Sequence, residues 1–206
     1  MVDPFVFIVE SPNPSDIADG RSEGQALSAS LNLAGIENTI QQPKTLDDLQ
    51  ACFSTILDTL APFIIDGTLR FPLVHFSAHG NEQGIGLTDG DFVPWATLAN
   101  LLFQSADEIK MLDETDQMAA WLLSFSTCHG AHAYNLLNNG TPYPCGGLVG
   151  PTESVSWQDS LTAFVTYFHL MLTKKLGVDE TVNRMNLAAG LPNTFRQFTC
   201  PAMTQP

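Results

Sequence analysis

Two apolar runs in this chain end on side chains that can do chemistry. Phe71-Pro72-Leu73-Val74-His75-Phe76-Ser77-Ala78-His79-Gly80 ends by delivering an imidazole. Trp121-Leu122-Leu123-Ser124-Phe125-Ser126-Thr127-Cys128-His129-Gly130 ends by delivering a thiol. Runs of this kind read as buried strands. A Cys/His pair held on neighbouring strand ends is the minimal equipment for a thiolate nucleophile with an acid/base partner. Cys128 would attack a carbonyl carbon and His79 would manage the proton. Gly80 directly follows His79, which leaves the backbone free to turn sharply and lets a substrate come close. If the strands are neighbours, the amides of Gly80 and Cys128 could point at one carbonyl oxygen. Such oxyanion donors are worth ~3 kcal/mol each in the transition state.

Taken alone, a cysteine closing an apolar strand is usually a small core residue. A lone histidine beside a core is usually a hydrogen-bonded structural one. Both together, each at a strand end and each near glycine, favour the chemical reading. The other histidines are weaker candidates: His75 lies inside a strand, and His132 and His169 fall in helical stretches. His129 adjoins Cys128, so its side chain is expected to diverge from the thiol, though it could line the site. No ligand spacing supports a metal, and none is expected. Cys52, Cys128, Cys145 and Cys200 show no CxxC pattern, which argues against a disulfide framework or a zinc knuckle.

The elements that would position the pair alternate between strand and helix. Phe5 to Val9 is a strand broken by Ser11-Pro12-Asn13-Pro14, and Arg21 to Ala34 is helical with Gly35 at its end. Ile36 to Gln42 reads as a second strand. Thr45-Leu46-Asp47-Asp48 is a capping box, followed by Leu46, Leu49, Phe53, Ile56 and Leu60 at helical spacing. Between the two reactive runs, Asp89-Gly90 marks a β-hairpin, Trp95 to Phe103 a helix, and Asp113 to Asp116 a solvated turn. The hairpin stretch is glycine-rich but has no GK[ST] and opens no helix, so it is not a phosphate loop. After Cys128 come a short helix over His132 to Leu137, a turn at Asn139-Gly140-Thr141 and a strand at Gly146 to Gly150. Ser156-Trp157-Gln158-Asp159 caps a helix with a stripe of Trp157, Leu161, Phe164, Phe168 and Leu172, ended by Gly177. A helix over Asp179 to Ala189 and a strand over Phe195 to Thr199 close the pattern. The alternation argues for a mostly parallel sheet covered on both faces, in one domain spanning residues 1–206.

Composition limits the function classes. The chain has 206 residues, 44% of them hydrophobic, which fits a globular protein with a substantial core. Its 8 Lys and Arg against 22 Asp and Glu give a net charge of −14. That disfavours binding to a nucleic-acid backbone, which needs a basic face; the acidity suits solubility and could steer a basic substrate or partner. No stretch reaches the ~18 apolar residues of a membrane span. Met1-Val2-Asp3-Pro4 lacks the basic start of a signal peptide, so an intracellular, cytoplasmic location is expected.

The His-Gly and strand-Cys motifs resemble those of the caspase-like (clan CD) cysteine peptidases, in particular the CHAT branch related to caspases and separase. His79 and Cys128 are 49 residues apart, close to the ~50 of caspases. Glu10-Ser11-Pro12 after the first strand, Gly86-Leu87-Thr88-Asp89-Gly90 before a Trp-containing helix, and Gly150-Pro151 before a Ser-x-x-Asp-x-x-x-x-Phe helix extend the similarity over nearly the whole chain. The resemblance implies a caspase-hemoglobinase fold: an α/β three-layer sandwich with a six-stranded, largely parallel sheet between helices. It also implies peptide-bond cleavage by a His79/Cys128 dyad with Gly80 helping to hold the oxyanion, no cofactor, a protein or peptide substrate and a separate regulatory protein. An endopeptidase acting as a switched effector in defence or cell death is the first functional expectation. A catalytically inert caspase-like binding module is the alternative. Caspases carry Gln-Ala-Cys-x-Gly at the nucleophile, and several relatives carry an acidic residue two positions before it. Here Ser126 holds that place, so Ser126 and His129 are candidate pocket residues and the preferred P1 side chain (the residue before the scissile bond) stays open.

Overall fold

Successive residues of a strand face opposite sides of the sheet, and in Phe5-Val6-Phe7-Ile8-Val9 both sides are buried. Phe5, Phe7 and Val9 pack with Leu49, Phe53, Ile56, Leu98 and Leu102. Val6 and Ile8 pack with Leu27, Leu31, Phe164, Phe168 and Met185. A strand with two covered faces must be apolar throughout, which is why this run shows no alternation.

The computed structural model describes residues 3–66, 70–112, 121–137 and 145–199. The expected turn at Asp113 to Asp116, the Asn139-Gly140-Thr141 turn and Cys200 lie outside them. The main sheet is built from β1 (Asp3–Ser11), β2 (Asn38–Gln41), β3 (Arg70–Asn81), β6 (Trp121–Phe125), β7 (Cys145–Pro151) and β8 (Phe195–Thr199). Their order is β2-β1-β3-β6-β7-β8. The first five run parallel and β8 is antiparallel to β7. Helices α2 (Glu23–Leu33), α5 (Trp157–Phe168) and α6 (Val178–Ala189) cover one face. Helices α3 (Leu46–Ile65) and α4 (Trp95–Leu112) cover the other. This is the three-layer, mostly parallel architecture expected from the sequence.

The topology selects one end of the sheet. From β1 the chain goes first to β2 on one side and then to β3 on the other. The connections that follow β1 and β2 therefore diverge to opposite faces, and a crevice opens at the C-terminal ends of β1 and β3. Beyond that end, β4 (Gly84–Gly86) and β5 (Phe92–Pro94) form the expected hairpin. β4 also pairs antiparallel with His79, Gly80 and Asn81, an extension of β3 that the sequence reading did not anticipate. A Cβ at Gly84 would lie 2.1 Å from the Val93 carbonyl oxygen, so only glycine fits between these strands.

Two local features differ from expectation. Pro14–Ala18 forms a one-turn helix, α1, where a loop was expected. Asn13 caps it by accepting from the Asp16 amide, and Pro14 supplies a preset φ at its start. Further on, Gly177 does not end α5. The helix widens into a single π turn over His169–Thr173, Lys175 takes the left-handed conformation that closes it, and Gly177 instead precedes α6.

The segment after Cys128 is held by backbone-to-backbone packing. A Cβ on Gly150 would stand 2.7 Å from the Gly130 carbonyl carbon and 2.8 Å from the Ala131 nitrogen. Backbone cannot yield as a flexible side chain can, so Gly150→Ala is expected to destabilise the fold by about 1–3 kcal/mol. Urea unfolding should show a lower midpoint at unchanged slope.

Candidate active site

β3 and β6 pair in parallel through Leu73↔Leu122, Val74↔Leu123, His75↔Ser124 and Phe76↔Phe125. The Ser126 amide then donates to the Phe76 carbonyl at 2.8 Å, extending the pairing beyond β6. His79 and Cys128 each lie three residues past the Phe76↔Phe125 pair, on adjacent chains at the crevice end. Contact there is close: a Cβ on Gly80 would lie 3.1 Å from Thr127 Cβ and 3.3 Å from the Cys128 carbonyl oxygen. The structure thus brings together the imidazole strand end, Gly80 and the thiol strand end. Cys128 is partly exposed, and its Sγ lies 3.8 Å from the Val155 carbonyl in the loop before α5.

His79 is oriented by groups from the β1–α2 connection. Its Nε2 lies 2.6 Å from Asp16 Oδ2 and 2.8 Å from Asn13 Nδ2. The Asn13 oxygen is already engaged by the Asp16 amide and the Ser15 hydroxyl, so its amide orientation is fixed. Asp16 is buried (3% side-chain exposure), whereas the His79 side chain is 45% exposed. Asp16 Oδ2 can only accept, and its shorter contact favours the proton on Nε2 and the lone pair on Nδ1, where the neutral ring is a base; in that tautomer the Asn13 amide, itself a donor, makes no hydrogen bond to Nε2. Trp157, at the start of α5, meets the His79 ring edge-on at 5.4 Å. Asp16 and Asn13 were missed in the sequence; the Asn-Pro helix-start signal in the supposed loop could have flagged them.

A buried polar cluster lies beneath the site. Glu23, in the first turn of α2, accepts from Ser77 Oγ at 2.6 Å and Ser126 Oγ at 2.5–2.6 Å. Ser126 Oγ also lies 2.5 Å from Ser160 Oγ of α5. Ser126, two residues before Cys128, is therefore buried at 4% exposure and faces a carboxylate. Burial pushes the Glu23 carboxyl up to about 7, against the pull of its serine hydrogen bonds, and neighbouring Glu10 adds to the rise. Glu10, at the end of β1, is fully paired with Ser22 Oγ, the Gly24 amide and Gln42 Nε2.

Glu10 and Glu23 line a cavity of about 190 Å³ whose other walls include Pro12, Trp157 and Leu161. Trp157 lines this cavity and also meets the His79 ring, so one side chain links the two. Arg21, at its margin, is held by Asp16 at 3.1 Å and by Asp19. His129 is left-handed at φ 59°, and its ring packs against His132. His75 is fully buried beside Phe164 and Phe168, where burial lowers its pKa to about 3 and keeps it neutral.

No family model matches the sequence, and no curated protein matches it. Solved structures do. The Drosophila initiator caspase Dronc superposes with a TM-score of 0.61 at 11% identity, covering 96% of this chain and 79% of the caspase. The secreted C11 cysteine protease of Bacteroides thetaiotaomicron, iotapain, superposes with a TM-score of 0.55 at 11% identity, over 97% of this chain and 66% of the protease. A structure of that C11 protease with an irreversible peptide inhibitor gives 0.52 at 11% identity, over 91% of this chain and 59% of the protease. The chain therefore has the caspase-like α/β fold, and it spans about two thirds or less of the length of the C11 protease.

Folded Glu23 keeps its proton to about pH 7, against 4.5 for an ordinary glutamate. Between these values the folded state holds more protons than the unfolded one. The residue's contribution to stability is thus full below the lower value and declines as pH rises through the higher, by about 3 kcal/mol in all. Glu23→Gln cannot ionise and should escape this decline. Its stability relative to wild type is expected to rise from pH 5 to about pH 7 and level off above that in paired denaturant titrations; parallel pH profiles would refute it.

Proposed function

We propose that this chain is a cysteine endopeptidase of the caspase-like clan, related to the CHAT branch, that cleaves peptide bonds with Cys128 and His79. The observation that carries the reading is the side-by-side placement of the two strand ends, with Gly80 packed against Thr127 and the Cys128 carbonyl. Cys128 Sγ attacks the scissile carbonyl carbon as His79 takes the thiol proton. The amides of Gly80 and Cys128 donate to the carbonyl oxygen as it becomes negative. His79 then protonates the leaving amine, and water releases the acyl group from Cys128 with the ring as base. Asp16 acts through His79 by fixing its tautomer. No step calls on a cofactor. On the family resemblance alone, the enzyme would be a switched effector in a defence or cell-death pathway, controlled by a separate regulatory protein.

The cavity beside Trp157 is the pocket for the P1 side chain in this reading. Its walls are apolar enough for an alkyl stem, and Glu10 and Glu23 line it; Glu10 is held by Ser22, Gly24 and Gln42, so Glu23 is the carboxyl left to meet a cation. Arg21 is already neutralised by Asp16 and Asp19, so it is a poor anchor for an acidic P1 group. The pocket therefore favours Arg or Lys at P1, and an entering cation would draw Glu23 into its charged form. The acidic group that is missing at position 126 is supplied from α2.

An unbiased peptide library, followed by mass spectrometry, tests both levels. Cys128→Ala is expected to abolish cleavage; persistence at the wild-type rate would overturn the dyad, and a folded wild type inert under all activating conditions would support the binding module. Asp16→Asn should lower kcat about 10²–10⁴-fold with little change in KM. Wild type should cleave after Arg or Lys, and Glu23→Gln should weaken that preference over a neutral P1 residue by about 10–100-fold, the worth of a charge-assisted hydrogen bond. Preference for Asp at P1 would refute the pocket assignment.

A further inference from the structure

His129, His132 and Glu82 form a group that the peptidase reading does not use. One ligand-capable atom from each lies within 4.8 Å of the others. They come from two turns. Glu82 lies in the β3–β4 turn, three residues after His79. His129 follows Cys128 directly, and His132 lies in the 3-10 run Gly130–Leu137. The His132 amide donates to the His129 carbonyl at 2.9 Å, so the two histidines sit one 3-10 turn apart, where residues i and i+3 lie over each other. Their ring centroids are 5.9 Å apart.

The His129 ring is held in this place from outside the turn. Its backbone is left-handed, and its amide donates to the Glu153 carbonyl at 3.1 Å. Its Nδ1 is buried and has no hydrogen-bond partner, while Nε2 has only Ser154 Oγ at 3.4 Å. A buried imidazole nitrogen without a partner is costly to keep, and imidazole nitrogens are good ligands for borderline-soft divalent metals. Two imidazoles and a carboxylate are a recurrent three-ligand set for Zn²⁺, leaving a fourth position for water. The net charge of −14 adds long-range attraction for a cation.

We propose that Glu82, His129 and His132 bind one zinc-class divalent cation, which ties the turn after His79 to the turn after Cys128. Binding joins two segments distant in sequence and stabilises the folded chain by mass action. The spacing His-x-x-His is visible in the sequence, but Glu82 comes from another turn, which is why ligand spacing alone did not suggest a site. This inference needs no catalytic activity, and its test uses no substrate.

The test is equilibrium dialysis of the full chain against Zn²⁺ with metal analysis, alongside thermal unfolding in the same buffers. Wild type is expected to take up one Zn²⁺ per chain with a raised Tm. His132→Ala and Glu82→Gln should each weaken binding at least tenfold and remove the Tm shift. Glu82 is exposed, so its variant should fold normally, as circular dichroism can verify. Cys128→Ala should bind as wild type does, within about twofold, because the thiol is not in the ligand set. Excess Mg²⁺ or Ca²⁺, which prefer oxygen ligands, should not displace the metal. Failure of wild type to bind, unchanged affinity in both ligand variants, or loss of binding in Cys128→Ala would each overturn the proposal.

Discussion

The parallel pairing of β3 with β6 is the constraint on which the site depends. It fixes which residues meet at the crevice end of the sheet, and a slip of one residue would send His79 and Cys128 to opposite faces. Apolar side chains enforce the register. Val74, Phe76, Leu123 and Phe125 bury on the α3/α4 side, with Phe76 and Phe125 stacked at 4.9 Å. The alternate positions His75, Ser77 and His79 of β3 then fall on the α5 side, where His75 meets Phe164 and His79 meets Trp157. The large core therefore sets the position of a few polar groups at the strand ends.

Those polar groups impose a cost that the structure meets with a dedicated network. A carboxyl buried as deeply as Glu23 is unfavourable when charged, and Ser77, Ser126 and Ser160 converge on it from β3, from the segment after β6 and from α5. The network links the wall of the cavity to the segment that ends in Cys128. A hydrophobic replacement would pack more cheaply. Retaining an acid there is consistent with use of its charge, as a cationic side chain in the cavity would require.

Much of this architecture was legible in the sequence because burial on both faces forces continuous apolar strands, and Phe5 to Val9 shows this plainly. The helices were readable from Leu49, Phe53, Ile56 and Leu60 at helical spacing and from cap residues such as Thr45 and Ser156, whose hydroxyls accept the expected amide bonds. The pattern gave a mostly parallel sheet covered on both faces; that the fold is caspase-like was implied by the resemblance of the His-Gly and strand-Cys motifs. What stayed hidden depends on distant pairs. Asp16 sits in a five-residue helix too short to show a period, and its link to His79 is a tertiary contact across 63 positions. Glu23 stands near the start of a helical stretch, where an acid is ordinary, and nothing local says that three serines will bury it. Ser126 was noticed as a departure from the family pattern, but its partner could be found only in three dimensions.

The fold is shared with proteases at 11% identity, so the chemistry rests on this chain's own geometry. The central claim is that His79, oriented by Asp16, activates Cys128. It is tested most directly by alkylating the folded protein with iodoacetamide and reading each cysteine by peptide mapping across pH. Cys52 serves as an internal reference, because burial pushes its thiol up to about 11. The account predicts that Cys128 reacts much faster than Cys52 and Cys145 near neutral pH, and that His79→Ala removes most of this advantage. A Cys128 as slow as Cys52, or equally fast without His79, would contradict it.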